Sequence, residues 1–435
     1  MVSAKLRTSL GFRLFIIGFL NIILFIPSFM IMDLIHEREA RKQQALYEVG
    51  SNWGNEQIIS GPIINIPYYD YRKNDKDEVI KFKNYIHILP ESLKVSGRID
   101  PEKRYRGIYE LVVYNSKLNI SGEFNVSEFT SFNIPEKDIL WKEMNISIGI
   151  TDMKGIKEKI TVNAGDKSFD TEPGIESKNV HASGLSIFPE KELLNENFSF
   201  DFNLNINGSQ RLMFTPVGKE NTVTINSEWN NPKFTGSFLP NSRNVTETGF
   251  EAEWKILNLN RNYPQSWKNS NFRIEPSQFG VELLLPVDDY QKTIRTSKYA
   301  IMFIALTFIS FFITELLSKN SLHPIQYLLI GFAILIFYTL LLSFSEHMLF
   351  KYAYLIASVS IISLISLYTK SVLKSNLVTA VITGILILLY GYLYIILQLQ
   401  DYALMIGSIG LFFILALIMY ITRKINWFEI LKSQN

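Results

Sequence analysis

The sequence predicts an integral membrane protein with an N-terminal anchor helix, a large mainly antiparallel, sandwich-like β domain and a C-terminal bundle of five membrane-spanning helices. Long apolar runs lie at the two ends of the chain. Most charged residues lie between them: residues 33–298 hold 33 of the 43 Lys and Arg and 37 of the 41 Asp and Glu. Within this middle stretch, apolar and polar residues alternate with the period of a half-buried strand.

The first apolar run, Leu14–Met32, contains no charged residue and follows Lys5, Arg7 and Arg13. A helix that crosses a bilayer needs roughly 20 apolar residues. A cleaved signal peptide is the alternative, but the run is long for one and no small-residue cleavage site follows. The charged, helix-favouring stretch Asp33–Trp53 comes next instead. We therefore predict an uncleaved anchor in residues 1–32 whose helix continues beyond the membrane.

The middle stretch is predicted to consist of short antiparallel strands in one or two sandwich-like units. Phe198–Asn207 alternates apolar and polar residues and reaches a predicted turn at Asn207-Gly208. Similar alternation occurs in residues 117–126, 145–150, 222–229 and 249–256. Other turn signals are Pro216-Val-Gly218, Asn230-Asn-Pro232 and Pro240-Asn241. Such spacing favours a sandwich over an α/β fold.

Five further apolar runs predict the bundle in residues 299–435, at 299–317, 327–344, 352–368, 378–397 and 402–421. Short loops rich in Lys and Arg face the cytoplasm. On one side the basic residues are Lys5, Arg7, Arg13, Lys319, Lys370, Lys374, Arg423, Lys424 and Lys432, whereas the opposite short loops hold only Lys351. We therefore predict a bacterial inner-membrane protein with cytoplasmic termini and a periplasmic domain at 33–298.

Composition argues against several kinds of site. The chain has no cysteine, which excludes disulfides, thiolate metal sites and cysteine nucleophiles. The sequence has no basic patch with interleaved aromatic residues, so it gives no indication of nucleic-acid binding. The histidines are scattered, without the close spacing of zinc ligands, at His36, His87, His181, His323 and His347. We predict no catalytic residue, cofactor or metal.

Three polar residues at the predicted membrane ends are the candidate functional residues: Glu315, Glu346 and His347. Glu315 is expected to face the bundle or to reach toward Lys319, with proton coupling as the alternative. Ser345-Glu346-His347 contains hydrolase residue types, but adjacent residues do not usually form a triad. Glu346 and His347 are expected to cap or pair at the membrane boundary. Asp288-Asp289 is expected to form a solvated turn, with cation binding as the alternative.

Several blocks resemble the CreD family of bacterial inner-membrane proteins. They follow the family's order over almost the whole chain, and they include Ser227-Glu-Trp-Asn-Asn-Pro232 and His323-Pro-Ile-Gln-Tyr327. The blocks are Trp53–Pro67, Arg106–Tyr109, Ser227–Pro240, Gly249–Trp254, Phe279–Gln291, Arg295–Tyr299, His323–Tyr327 and Ser343–His347. The resemblance implies a multi-pass protein under two-component control, linked to envelope integrity and to tolerance of β-lactams and colicins. It brings no established catalytic residue.

These observations favour a non-enzymatic membrane protein that supports the envelope under stress by binding through its periplasmic domain. The expected partners are the lipid bilayer and either other envelope proteins or cell-wall material. The alternative is a transporter or lipid-handling protein that works through the C-terminal bundle. The sequence shows neither broken helices nor inverted repeats, which weakens the transport alternative. A membrane hydrolase is the third possibility.

Overall fold

The computed structural model describes residues 10–73, 77, 79–127, 132–269, 272–285, 289–318, 322–399 and 402–423. The chain divides into two compact units. The helical unit joins the residues up to Lys42 to those from Val287 onward, and the β unit comprises Gln43–Pro286.

Long apolar helices form the helical unit, as predicted. They are α1 (Leu10–Trp53), α2 (Asp289–Lys298), α3 (Ala300–Ser318), α4 (Pro324–Ser345), α5 (Phe350–Leu373), α6 (Asn376–Gln398) and α7 (Ala403–Thr422). Among the described residues, five helices are long and apolar enough to cross a membrane, and the pair α2 and α3, bent by 48°, makes a sixth if it counts as one span. The segment 289–298, which we assigned to the outer domain, is helical.

The described part of the β unit contains seventeen strands. They are β1 (Gln57–Lys73), β2 (Val79–Ile88), β3 (Ser92–Arg106), β4 (Tyr109–Phe124), β5 (Asn145–Ile150), β6 (Thr161–Ala164), β7 (Lys167–Asp170), β8 (Glu172–Pro173), β9 (Gly184–Ile187), β10 (Phe198–Ser209), β11 (Arg211–Phe214), β12 (Glu220–Ser227), β13 (Pro232–Gly236), β14 (Ser242–Thr246), β15 (Gly249–Leu257), β16 (Ser266–Lys268) and β17 (Phe279–Leu283). Each predicted alternating segment coincides with a strand, although residues 125–126 and 228–229 lie beyond the ends of β4 and β12.

Two sheets share one hydrophobic core. The first runs β13-β17-β11-β1-β5-β9-β8, with β2 pairing to β1 and β16, and the second runs β14-β15-β12-β3-β4-β10-β6-β7. Pairing is antiparallel except between β1 and β11 and between β3 and β12, which are parallel. Trp254 of the second sheet and Phe279 of the first are both buried, with ring centroids 5.7 Å apart. The sandwich prediction is confirmed as a single unit, with two parallel pairs that the sequence pattern did not predict.

The turn predicted at Asn207-Gly208 is wrong, because β10 continues through both residues to Ser209. The chain passes from the second sheet to the first at Gln210, whose φ of 60° lies in the left-handed region. Gly208 is required for a different reason. A Cβ atom there would stand 2.3 Å from the Tyr114 hydroxyl, which donates a hydrogen bond to the Arg211 carbonyl at 2.6 Å. Glycine in a strand interior often marks such a close approach.

The core of the β unit contains a buried polar network. Asn65 donates to the side chains of Asn145 and Ser147, both at 2.9 Å, and all three residues are buried. The side-chain amide oxygen of Asn65, Oδ1, lies 2.8 Å from Nδ1 of the fully buried His87, so Nδ1 donates. Burial lowers the pKa of His87 to about 3, aided by the nearby His181. Burial also lowers the pKa of His181 to about 4.

We predict that the β unit loses stability on mild acidification. Both histidines stay neutral in the folded protein below their usual pKa of about 6.5, whereas the unfolded chain binds protons there. Stability should therefore be complete above pH 6.5 and fall toward pH 4, by at most about 1.4 kcal/mol per pH unit for each histidine. Thermal unfolding of the full-length protein, followed by tryptophan fluorescence between about pH 7.5 and pH 4.5, measures this slope.

His181→Gln should flatten that slope, while His36→Gln, which changes a more exposed histidine on α1, should leave it unaltered. A pH dependence identical in all three proteins would contradict the assignment of the proton uptake to the buried imidazoles.

Candidate functional site

Glu315 lies near the end of α3 and forms the centre of a buried polar cluster. Only 6% of its side chain is exposed, and Arg13 Nη1 of α1 donates to Oε1 at 2.6 Å. The Tyr327 hydroxyl of α4 donates to the other oxygen, Oε2, at 2.9 Å. The first helix of the chain thus meets the consecutive helices α3 and α4 at one carboxylate. Of the two expected positions, facing the bundle is the one observed, and Lys319 lies outside the described residues.

The start of α4 is built to hold Tyr327 in this cluster. His323 is the N-cap, and its Nδ1 accepts a hydrogen bond from the Ile325 N–H. The Gln326 side chain accepts from the His323 N–H at 2.8 Å, which completes a capping box. Pro324 occupies a first-turn position where no intrahelical N–H is needed. The capped turn fixes the direction from which Tyr327 reaches Glu315.

A second ion pair lies at the other end of α4. Glu346 is the C-cap residue, its side chain is 11% exposed, and its Oε1 lies 3.8 Å from Nε of Arg38 on α1. Arg13 and Arg38 are 25 residues apart on one helix, or about 37 Å at 1.5 Å per residue. That distance matches a bilayer core of about 30 Å with part of its interfaces. The helix α1 is therefore paired to the bundle at two points that are about one membrane thickness apart.

Between the two ion pairs, α1 packs closely against α4. The side chain of Leu24 is fully buried, and a Cβ atom added at Gly331 would stand 2.2 Å from Leu24 Cδ1. Small residues permit this kind of close helix packing in membranes. Charge pairing at the ends and packing in the middle thus hold the same two helices together.

The hydrolase alternative at Ser345-Glu346-His347 gains no support from this geometry. The Ser345 hydroxyl donates to its own helix, at the Leu342 carbonyl. His347 is exposed, and its backbone N–H donates to the Phe344 carbonyl at 3.0 Å. The other weak candidate site, Asp288-Asp289, has Asp288 and the Asp289 side chain outside the described residues. Across the described ranges, no group of three or more His, Cys, Asp or Glu side chains could hold a metal ion.

Comparison with known proteins assigns the chain to a family. The family model described as inner membrane protein CreD matches residues 9–428. The chain belongs to the CreD family. The inner membrane protein CreD of Escherichia coli (strain K12) is 34% identical over 414 residues, which cover 94% of this chain and 91% of that protein. The resemblance seen in the sequence is therefore confirmed.

Two of the blocks that resemble CreD coincide with the two ends of α4. His323–Tyr327 forms the capped first turn and supplies the Glu315 hydrogen bond, and Ser343–His347 ends the helix and supplies Glu346. Sequence reasoning missed the partners Arg13, Arg38 and Tyr327. The available signal was that α1 carries a basic residue at each end of its apolar run while α3 and α4 carry acids near theirs.

We predict that Arg13→Gln destabilises the protein more than Glu315→Gln does. Loss of Arg13 leaves a carboxylate buried without its cation. Glutamine at 315 instead keeps the shape of the side chain, accepts from Arg13 through its amide oxygen and can donate from its NH2 group to the Tyr327 oxygen. The double variant should recover part of the loss, with a coupling energy of about 0.5–3 kcal/mol. Thermal unfolding of the purified protein in detergent measures all four members of the cycle.

The matched control is Arg41→Gln, which removes an exposed ion pair to Glu37 on the same helix and should change stability by less than about 0.5 kcal/mol. Equal midpoints for Arg13→Gln and Arg41→Gln would show that the buried pair does not stabilise the protein.

Proposed function

We propose that this protein supports cell-envelope integrity without catalysing a reaction, by binding another envelope protein or cell-wall material through its β unit. The observation that carries the proposal is the pairing of the two described acids between residues 299 and 423. Glu315 is bound to Arg13 and Glu346 lies beside Arg38. Ionisable groups that serve transport usually line a path or a cavity, whereas these hold helices together.

The proposal places the β unit in the periplasm and both chain ends in the cytoplasm. The support is the asymmetry of Lys and Arg in the short loops, which sets the orientation of inner-membrane proteins. The division into a helical unit and a β unit agrees with this arrangement, since residues 43–286 contain no candidate span among those described, apart from the end of α1.

We predict a clean result from single-cysteine labelling, because the chain has no cysteine of its own. Glu247→Cys, on the exposed hairpin between β14 and β15, should react with a membrane-impermeant maleimide in intact spheroplasts. Asn376→Cys, at the start of α6, and Ser433→Cys should react only after lysis. Labelling of Ser433→Cys before lysis would overturn the six-span topology.

A second candidate function, lipid handling by the helices, is favoured by a groove of about 520 Å³ between α3, α6 and α7. Its walls are apolar apart from Ser310, Thr314 and Tyr392. All three hydroxyls donate to backbone carbonyls, so the groove offers a surface suited to an acyl chain. Tyr392 binds the Ile406 carbonyl of α7 at 2.6 Å, and only a glycine at 410 leaves room for its ring.

Rescue of a deletion strain challenged with detergent or a cell-wall antibiotic distinguishes the two candidates. We predict that Leu239→Asp, which places a charge on an exposed apolar residue of the β unit, lowers survival at least tenfold at normal membrane abundance. Thr248→Asp, on another exposed turn of the same unit, is the control and should rescue.

Gly410→Val removes the space for Tyr392 and should displace α7 from the groove while leaving the β unit unchanged. Under the proposed function this variant rescues whenever it is inserted in the membrane. Loss of rescue by well-inserted Gly410→Val, together with full rescue by Leu239→Asp, would favour lipid handling instead.

A further inference from the structure

A pocket of about 270 Å³ opens on the first sheet of the β unit. Its walls come from the first strand β1, the end of β5, the segment 180–183 before β9, Thr215 after β11 and the turn 274–278. The volume lies just below the range of about 300–1,000 Å³ that is typical of pockets for drug-sized ligands. It suits a group about as large as one sugar ring.

Three buried polar atoms in the pocket wall lack a hydrogen-bond partner within the part of the chain that the structure describes. They are Ser60 Oγ, His181 Nε2 and Thr215 Oγ1, and their residues are 7%, 6% and 2% exposed. Buried polar atoms are almost always hydrogen-bonded in native proteins. Three unpartnered atoms around one opening therefore point to an occupant that supplies their partners.

The backbone around the pocket is shaped to bring these three side chains together. The register of β1 against β5 shifts between Ser60 and Ile63, at Gly61, where a Cβ atom would stand 2.8 Å from the Ser147 carbonyl. Gly149 leaves the space that the His181 ring fills, since a Cβ atom there would stand 2.6 Å from Nδ1. The N–H of Thr215 donates to the Ile59 carbonyl at 3.0 Å, which fixes Thr215 beside β1.

The chemistry of the wall selects the kind of ligand. A hydroxyl both donates and accepts hydrogen bonds, and a neutral imidazole does the same through its two nitrogens. His181 stays neutral at physiological pH because burial lowers its pKa to about 4. Glu275, on the exposed turn, is the charged residue in the wall, so an anionic ligand would be repelled rather than paired. The wall thus matches a neutral group that both donates and accepts.

We propose that this pocket binds a neutral, hydroxyl-rich ligand of sugar type through Ser60, His181 and Thr215. The inference rests on the proposed function in taking the β unit as the binding part, and it names the site and the ligand class. Ordered water, which fills many polar cavities, is the competing occupant.

Protection of a cysteine placed in the pocket tests the proposal on the full-length protein in detergent. Ala182 is exposed and lines the opening, so Ala182→Cys reports on access in this cysteine-free chain. N-acetylglucosamine at about 10 mM, tenfold above a millimolar dissociation constant, should slow maleimide labelling at least threefold and saturably. Glucuronate at the same concentration should not protect. Unchanged labelling with the neutral sugar, or equal protection by glucuronate, would overturn the proposal.

Two further variants separate binding from folding. Ser60→Ala and Thr215→Val, each combined with Ala182→Cys, should weaken sugar protection at least tenfold. Their thermal midpoints without sugar should be unchanged or raised, because the deleted hydroxyls have no partner in the free protein. Ser186→Ala is the control. It removes a buried hydroxyl bonded to the Gly174 carbonyl at 2.8 Å, so it should lower the midpoint and keep sugar protection.

Full protection retained in the Ser60→Ala, Thr215→Val double variant would contradict the assigned binding groups. Because this assay uses purified protein, its failure leaves the labelling topology and the deletion rescue to be judged separately.

Discussion

The helical unit depends on keeping charged groups paired where water is scarce. An ionised side chain within a bilayer is costly, and a buried carboxylate is tolerated when a cation and hydrogen bonds compensate for the lost water. Glu315 has both, in Arg13 and Tyr327. Arg13 lies on the first helix, 302 residues before Glu315. The need to pair this carboxylate therefore joins the first helix of the chain to the C-terminal bundle. Satisfying this carboxylate therefore holds α1 beside α3 and α4.

The same physical rule takes a different form in the β unit. Several strands of its first sheet, such as β5 and β9, are buried along their whole length, so polar groups on them need partners within the protein. Asn65 provides them for Asn145, Ser147 and His87 through a single amide. Such a network specifies strand register, because shifting a strand by one residue would leave each of these groups without a partner. Because burial lowers the pKa of the histidine in this network, we expect the unit to lose stability in acid.

The burial of each element determines whether the sequence could predict it. Strands with one wet face, such as β10 and β15, alternate and were found. The strand β1 was missed, since its central residues are buried on both faces and Ile58–Pro67 reads as a mixed apolar run without period two. The helix α2 is polar and short, and it resembles a loop in hydropathy. The Arg13 partner of Glu315 was missed because no local pattern encodes a contact between α1 and α3, which are 302 residues apart at this pair.

The buried polar side chains of the described residues fall into two groups, those that have hydrogen-bond partners and those with an atom that lacks one. The acids near the membrane boundaries have partners, so replacing them removes interactions that hold helices together. Among the residues that the structure describes, Ser60 Oγ, His181 Nε2 and Thr215 Oγ1 have no partner, so these atoms reduce stability where apolar side chains would not. A fold that needed these positions only for packing would be served as well by alanine or valine. The polar atoms are therefore better explained by a ligand that completes their hydrogen bonds than by the architecture of the sheet.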